Sequence, residues 1–117
     1  MATYSREEFV RQVLVELGVL DATEAPAAED AVTVNQKTDQ KFEELYEDGL
    51  IPFDIDGDIP ARYFLPLLSI VAAESATGYG KSGLLPVLGT KANEGVRRLW
   101  KLRQKPYEGT VGKATYF

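Results

Sequence analysis

The stretch from Asp58 to Thr77, DIPARYFLPLLSIVAAESAT, leaves this chain few ways to fold. Ile59, Tyr63, Phe64, Leu67, Leu68, Ile70, Val71 and a set of alanines fall on nearly every side of a helix drawn through it. A helix apolar all round is either the centre of a packed core or a membrane span. Arg62, Ser69, Glu74 and Ser75 interrupt the run, and it falls short of the ~20 apolar residues that a span requires. The expectation is the central helix of a small helical unit. Asp58 is a natural N-cap, with Pro60 in the first turn, where a missing N–H is harmless. Pro66 demands one of two solutions, since a proline past the first turn removes a hydrogen bond. Either the helix starts near Arg62, with Pro66 in its first turn, or it bends at Leu65.

Around that helix the chain supplies three more. Ser5 and Glu8 form a capping box before an apolar stripe of Phe9, Val10, Val13, Leu14 and Leu17, and Gly18 ends the helix. A second helix is expected from about residue 29 to Asp48, stopped by Gly49, with Phe42, Leu45 and Tyr46 on one side and acidic residues outward. Its first half is weaker, because Val32, Thr33 and Val34 are β-branched. The segment 50–58 alternates Ile51, Phe53 and Ile55 with polar residues and reads as a short extended piece over the core, confined to an edge or loop by Pro52. After the break GYGKSG, Leu85, Leu88, Ala92, Val96, Leu99 and Leu102 define a last helix over roughly 83–103. Gly89 and Gly95 each weaken it by about 1 kcal/mol relative to alanine.

At 117 residues the chain is one domain. It has no cysteine and no histidine, which removes thiolate metal sites and the commonest general base and metal ligand. Without them nothing fixes a nucleophile and its base, and no enzyme, cofactor or metal is expected. The charged opening, Met1 to Glu8, lacks the apolar region of a leader peptide, so cytosolic synthesis is expected. Residues 1–80 carry 16 acidic and 5 basic side chains, whereas residues 81–117 carry 2 acidic and 8 basic ones. Two readings of this split stand: the basic helix docks on its own acidic half, or the two surfaces meet different neighbours.

Two motifs suggest ligands and do not hold. Asp54, Asp56 and Asp58 alternate around Gly57 like a calcium loop, but Ile59 and Leu65 stand where such a loop needs glycine and a bidentate glutamate. Gly80-Lys81-Ser82 imitates the end of a phosphate loop, yet Ser75 occupies the first glycine position and a helix precedes it. A turn and a helix break explain both. The sharper feature is basic: Arg97, Arg98, Lys101, Arg103 and Lys105, with Trp100 among them, form a face opposite Leu99 and Leu102. Such a face suits phosphate contacts, a neighbouring protein or plain solvent. The finish PYEGTVGKATYF adds Tyr107, Tyr116 and Phe117, rings that a short tail alone has no means to bury.

In order, these features resemble the head-to-tail adaptor (head-completion or connector) proteins of tailed bacteriophages, the short-tailed kind in particular. The resemblance rests on the first helix ending Leu17-Gly-Val, on Glu43-Glu-Leu-Tyr-Glu-Asp-Gly-Leu-Ile-Pro, and on the apolar helix ending Thr77-Gly-Tyr-Gly. It also rests on Arg97-Arg-Leu-Trp-Lys-Leu-Arg-Gln-Lys-Pro-Tyr-Glu with a Tyr-Phe finish. It implies an all-α fold, a small bundle of about four helices around the central apolar helix, with residues 1–105 as the adaptor domain and 106–117 as an extended C-terminal tail. It further implies a virion protein made in the host cytoplasm. Copies would form a homo-oligomeric ring between portal protein and tail proteins, with possible non-specific DNA contact in the channel, no membrane and no cofactor. Tyr107, Tyr116 and Phe117 become expected portal or subunit contacts. Arg97, Arg98, Lys101, Arg103 and Lys105 become expected channel-facing or subunit-facing groups. The alternative is a small helical nucleic-acid-binding regulator that uses the 83–103 helix.

Overall fold

The computed structural model describes residues 2–104 of the chain. The fold is all-α: helices α1 (Arg6–Glu16), α2 (Ala28–Glu47), α3 (Ala61–Ala76) and α4 (Leu85–Gln104) surround one core. A single antiparallel bridge joins β1 (Thr3–Tyr4) to β2 (Ile59–Pro60). Short 3₁₀ turns, Thr77–Tyr79 and Ser82–Leu84, connect α3 to α4. The tail residues 106–117 lie outside the described residues.

Helix α1 starts at the expected N-cap, with the Ser5 hydroxyl accepting the Glu8 amide at 3.1 Å, but the reciprocal half of the box does not form, because the Glu8 carboxylate turns to Gln12 and Arg11. Three helix ends share one solution. Gly18, Gly49 and Gly80 have φ of 75°, 79° and 69°, in the left-handed region where glycine carries no Cβ penalty. The residue after each glycine donates back to Leu14, Leu45 and Ala76 respectively, the Schellman arrangement that satisfies otherwise orphaned carbonyls. The third of these ends is tied further by Tyr79, whose hydroxyl donates to Asp30 Oδ1 at 3.2 Å, at the start of α2. Burial, the Asp30 charge and that hydrogen bond hold the Tyr79 phenol above its ordinary pKa.

Helix α3 is the centre, with Phe64, Leu67, Leu68, Ile70, Val71, Ala72 and Ala76 buried. Its start corrects one expectation. Asp58 does not cap it, because Ile59 and Pro60 are first drawn into the bridge with Tyr4 and Thr3, and the helix begins only at Ala61. The first amide is satisfied instead by the Ala2 carbonyl, at 3.0 Å from Ala61 N. Asp58 accepts from the Thr3 hydroxyl at 3.4 Å. Pro66 stands inside the helix rather than in its first turn and has no N–H to offer the Arg62 carbonyl.

The segment 50–58 folds over the core as expected but pairs as a strand with none of the described residues. Leu50 and Ile51 are buried, and Phe53 meets Tyr63 edge-on at 5.2 Å. Asp54 builds a turn, accepting the Asp56 amide on Oδ1 and the Gly57 amide on its carbonyl oxygen. A chain of rings, Tyr4–Phe64–Phe9–Phe42, runs from β1 through α3 and α1 to α2 with centroids 4.8 to 5.4 Å apart. Arg6 closes this side. Its guanidinium lies 5.0 Å over the Phe42 ring, pairs with Asp39 at 2.6 Å, and reaches Asn35 and the Ile55 carbonyl.

Helix α4 packs chiefly on α3, and Gly95 sets how closely. A Cβ there would sit 2.7 Å from the Pro66 carbonyl oxygen and 3.3 Å from the Pro66 carbonyl carbon and Cα. The sequence marks Gly95 as a weak point of α4. In the fold it is where two backbones meet.

Candidate functional site

The α3–α4 seam has two flanks, and the sequence of α4 turns a different side to each. Along the first, a shallow cleft of about 520 Å³ is walled by Arg62 and Ser69 of α3 and by Lys91, Arg97, Arg98 and Lys101 of α4. Glu94 is its one carboxylate, and Ala61, Leu65 and Pro66 give it an apolar strip. Leu65 is 68% exposed, in the middle of these cations. The opposite flank is a smaller cleft of about 350 Å³ in which Glu44 and Asp48 of α2 and Glu74 of α3 face Asn93 and Trp100 of α4. Its cation, Lys41, is committed to Glu44 at 3.2 Å and to Glu74 at 3.6 Å.

The basic cleft is far less neutralised. Lys91 reaches Glu16 at the end of α1 (3.0 Å), and Arg97 reaches Glu94 within α4 (3.4 Å). Among the described residues, Arg62, Arg98 and Lys101 make no ion pair. The reading in which the basic helix docks on its own acidic half is therefore met only at Lys91 among these residues. Three cations without an ion pair among the described residues, around a strip that includes an exposed leucine, can hold an anionic partner that also presents an apolar side chain.

The residues singled out from sequence do not all meet here. Arg97, Arg98 and Lys101 do. Arg103 turns to the other flank, where its guanidinium lies 5.2 Å over the Trp100 ring and within 3.6 Å of where a Cβ on Gly49 would be. Lys105, Tyr107, Tyr116 and Phe117 lie outside the described residues. Sequence reasoning missed Arg62, which joins the basic group from a neighbouring helix, and Leu65. The available signal was their spacing: Arg62, Leu65 and Ser69 fall at i, i+3, i+7, one stripe of α3 that is not part of its buried face.

Among the described residues no cluster of three or more metal-ligating side chains forms, and no helix is long and apolar enough to cross a membrane. Comparison of the chain with family models, curated proteins and solved structures gives no match.

Proposed function

We propose that this chain is a non-enzymatic structural subunit of a tailed-phage particle, set as a ring between portal and tail. It would extend the DNA channel and give tail proteins a platform. The observation that carries this reading is the pair of unlike flanks on one helix seam, cationic on one side and carboxylate-rich on the other. A ring is built from heterologous contacts, in which one surface of each copy meets a different surface of the next. The order of sequence features that resembles head-to-tail adaptors supports the same reading. In this assignment the segment 106–117, with Tyr107, Tyr116 and Phe117, docks onto the portal, where aromatic anchors give large contact area at low entropic cost.

The test is deletion of residues 106–117, followed by particle assembly and circular dichroism of the free protein. Loss of incorporation with helical content retained supports the assignment; normal incorporation sinks it. Electron microscopy of the intact protein mixed with the portal adds the second check, rings on the portal face. The nucleic-acid-regulator alternative draws on the same cations. It predicts that the free protein binds short duplex DNA with a steep loss of affinity as salt rises.

A further inference from the structure

We infer that the basic cleft between α3 and α4 is a socket for the exposed acidic face of α2 on a second copy of this chain. The inference rests on the ring-subunit reading and names the surfaces by which neighbours meet. Two observations select the occupant. The first is charge. Arg62, Arg98 and Lys101 make no ion pair among the described residues, while Glu43 and Glu47 stand exposed on the outer side of α2. The second is apolar exposure. Leu65 is 68% exposed in the cleft, and Tyr46, 54% exposed, lies between those two glutamates in sequence on α2.

A nucleic-acid backbone would satisfy the cations and leave Leu65 and Tyr46 in water. A second copy accounts for all of them in one contact. Tyrosine and arginine are the residues that dominate interface cores, and exposed leucine beside them supplies the desolvated centre. The geometry permits the contact to repeat. The cleft opens on the side of the seam where Lys91 meets α1, and α2 lies along the other side, so one copy can offer both surfaces to different neighbours.

The chain contains no cysteine, so single thiols report position cleanly. Leu65→Cys and Tyr46→Cys proteins are mixed and treated with a short bis-maleimide. Random collision yields as much mixed dimer as both like dimers together. The inference expects the mixed dimer in clear excess at low salt, falling to the random ratio near 1 M salt, where the Debye length is about 3 Å. Arg98→Glu with Lys101→Glu in the Leu65→Cys protein should abolish the excess, and adding Glu43→Arg with Glu47→Arg to the Tyr46→Cys partner should restore it. Circular dichroism of each variant confirms retained helix, as all these positions are exposed. A random ratio at low salt overturns the inference. So does a mixed-dimer excess untouched by cleft reversal, and so does loss of duplex DNA binding on reversal while the excess persists. If charge-reversed protein still forms normal rings on the portal, this contact fails and the virion reading stands. If the contact forms but no portal ring does, the virion reading fails and the contact stands.

Discussion

The two flanks of the α3–α4 seam share a wall and differ in how their charges are resolved. On the acidic flank, Lys41 sits between Glu44 and Glu74, while Asp48 lines the same cleft with no ion pair among the described residues. On the basic flank, Arg62, Arg98 and Lys101 stand together with no ion pair among the described residues, and Glu94, which lines the same cleft, pairs with Arg97. Like charges held together cost stability, modestly in water and less in salt. On the reading proposed above, the excess of one sign on each flank is what a neighbouring copy would neutralise. The contrast also depends on the seam itself, because the closeness of α4 to α3 decides how the cations of the two helices face one another.

The largest effect should therefore come from the seam. Gly95→Ala places a methyl group 2.7 Å from a backbone oxygen, and a backbone cannot swing aside as a flexible side chain does. Overpacking of this kind costs about 1–3 kcal/mol, against a gain of about 1 kcal/mol in helix propensity. The expected outcome is a net loss of up to roughly 2 kcal/mol in urea unfolding, with α4 displaced and the basic cleft reshaped. Stability equal to or above that of the parent would show that Gly95 is not where the helices are pinned.

Gly89 lies on the same helix and provides the control. Nothing lies within 4 Å of a Cβ there, and its φ is not in the left-handed region. Gly89→Ala should raise stability by about 0.5–1 kcal/mol, through helix propensity and a stiffer unfolded chain. The pair of substitutions thus has opposite signs six residues apart. From sequence the two glycines looked equivalent.

That equivalence shows what the sequence carried and what it did not. Helix ends were legible because Ser5, Gly18, Gly49 and Gly80 act locally, through their own hydrogen bonds and dihedral angles. The core was legible because apolar spacing along one helix reports which face is buried. Contacts between distant segments were not. The Tyr4–Ile59 bridge joins residues more than fifty positions apart through two-residue strands, too short to show alternation, and it displaced Asp58 from the cap. The grouping of Arg62 with Arg98 and Lys101, and the departure of Arg103 toward Trp100, depend on which side of α3 meets α4. A basic run in one helix carries no record of its neighbour.

The smallest effect is also the most direct comparison of the flanks. Lys41→Ala removes a cation shared by two carboxylates, and exposed pairs of this sort contribute about 0.2–1 kcal/mol. Stability should fall by that order and the loss should shrink as salt is added. Arg98→Ala removes an exposed cation that makes no ion pair among the described residues, so the expected change is within about 0.5 kcal/mol and of either sign. Urea titrations of both variants at low and high salt read the difference. If Arg98→Ala costs as much as Lys41→Ala, Arg98 is already answered within the monomer, and the cleft loses its claim to be waiting for a partner. If only Lys41 matters, the cations of the basic flank are dispensable for folding, which is the condition under which a surface can be given over to binding.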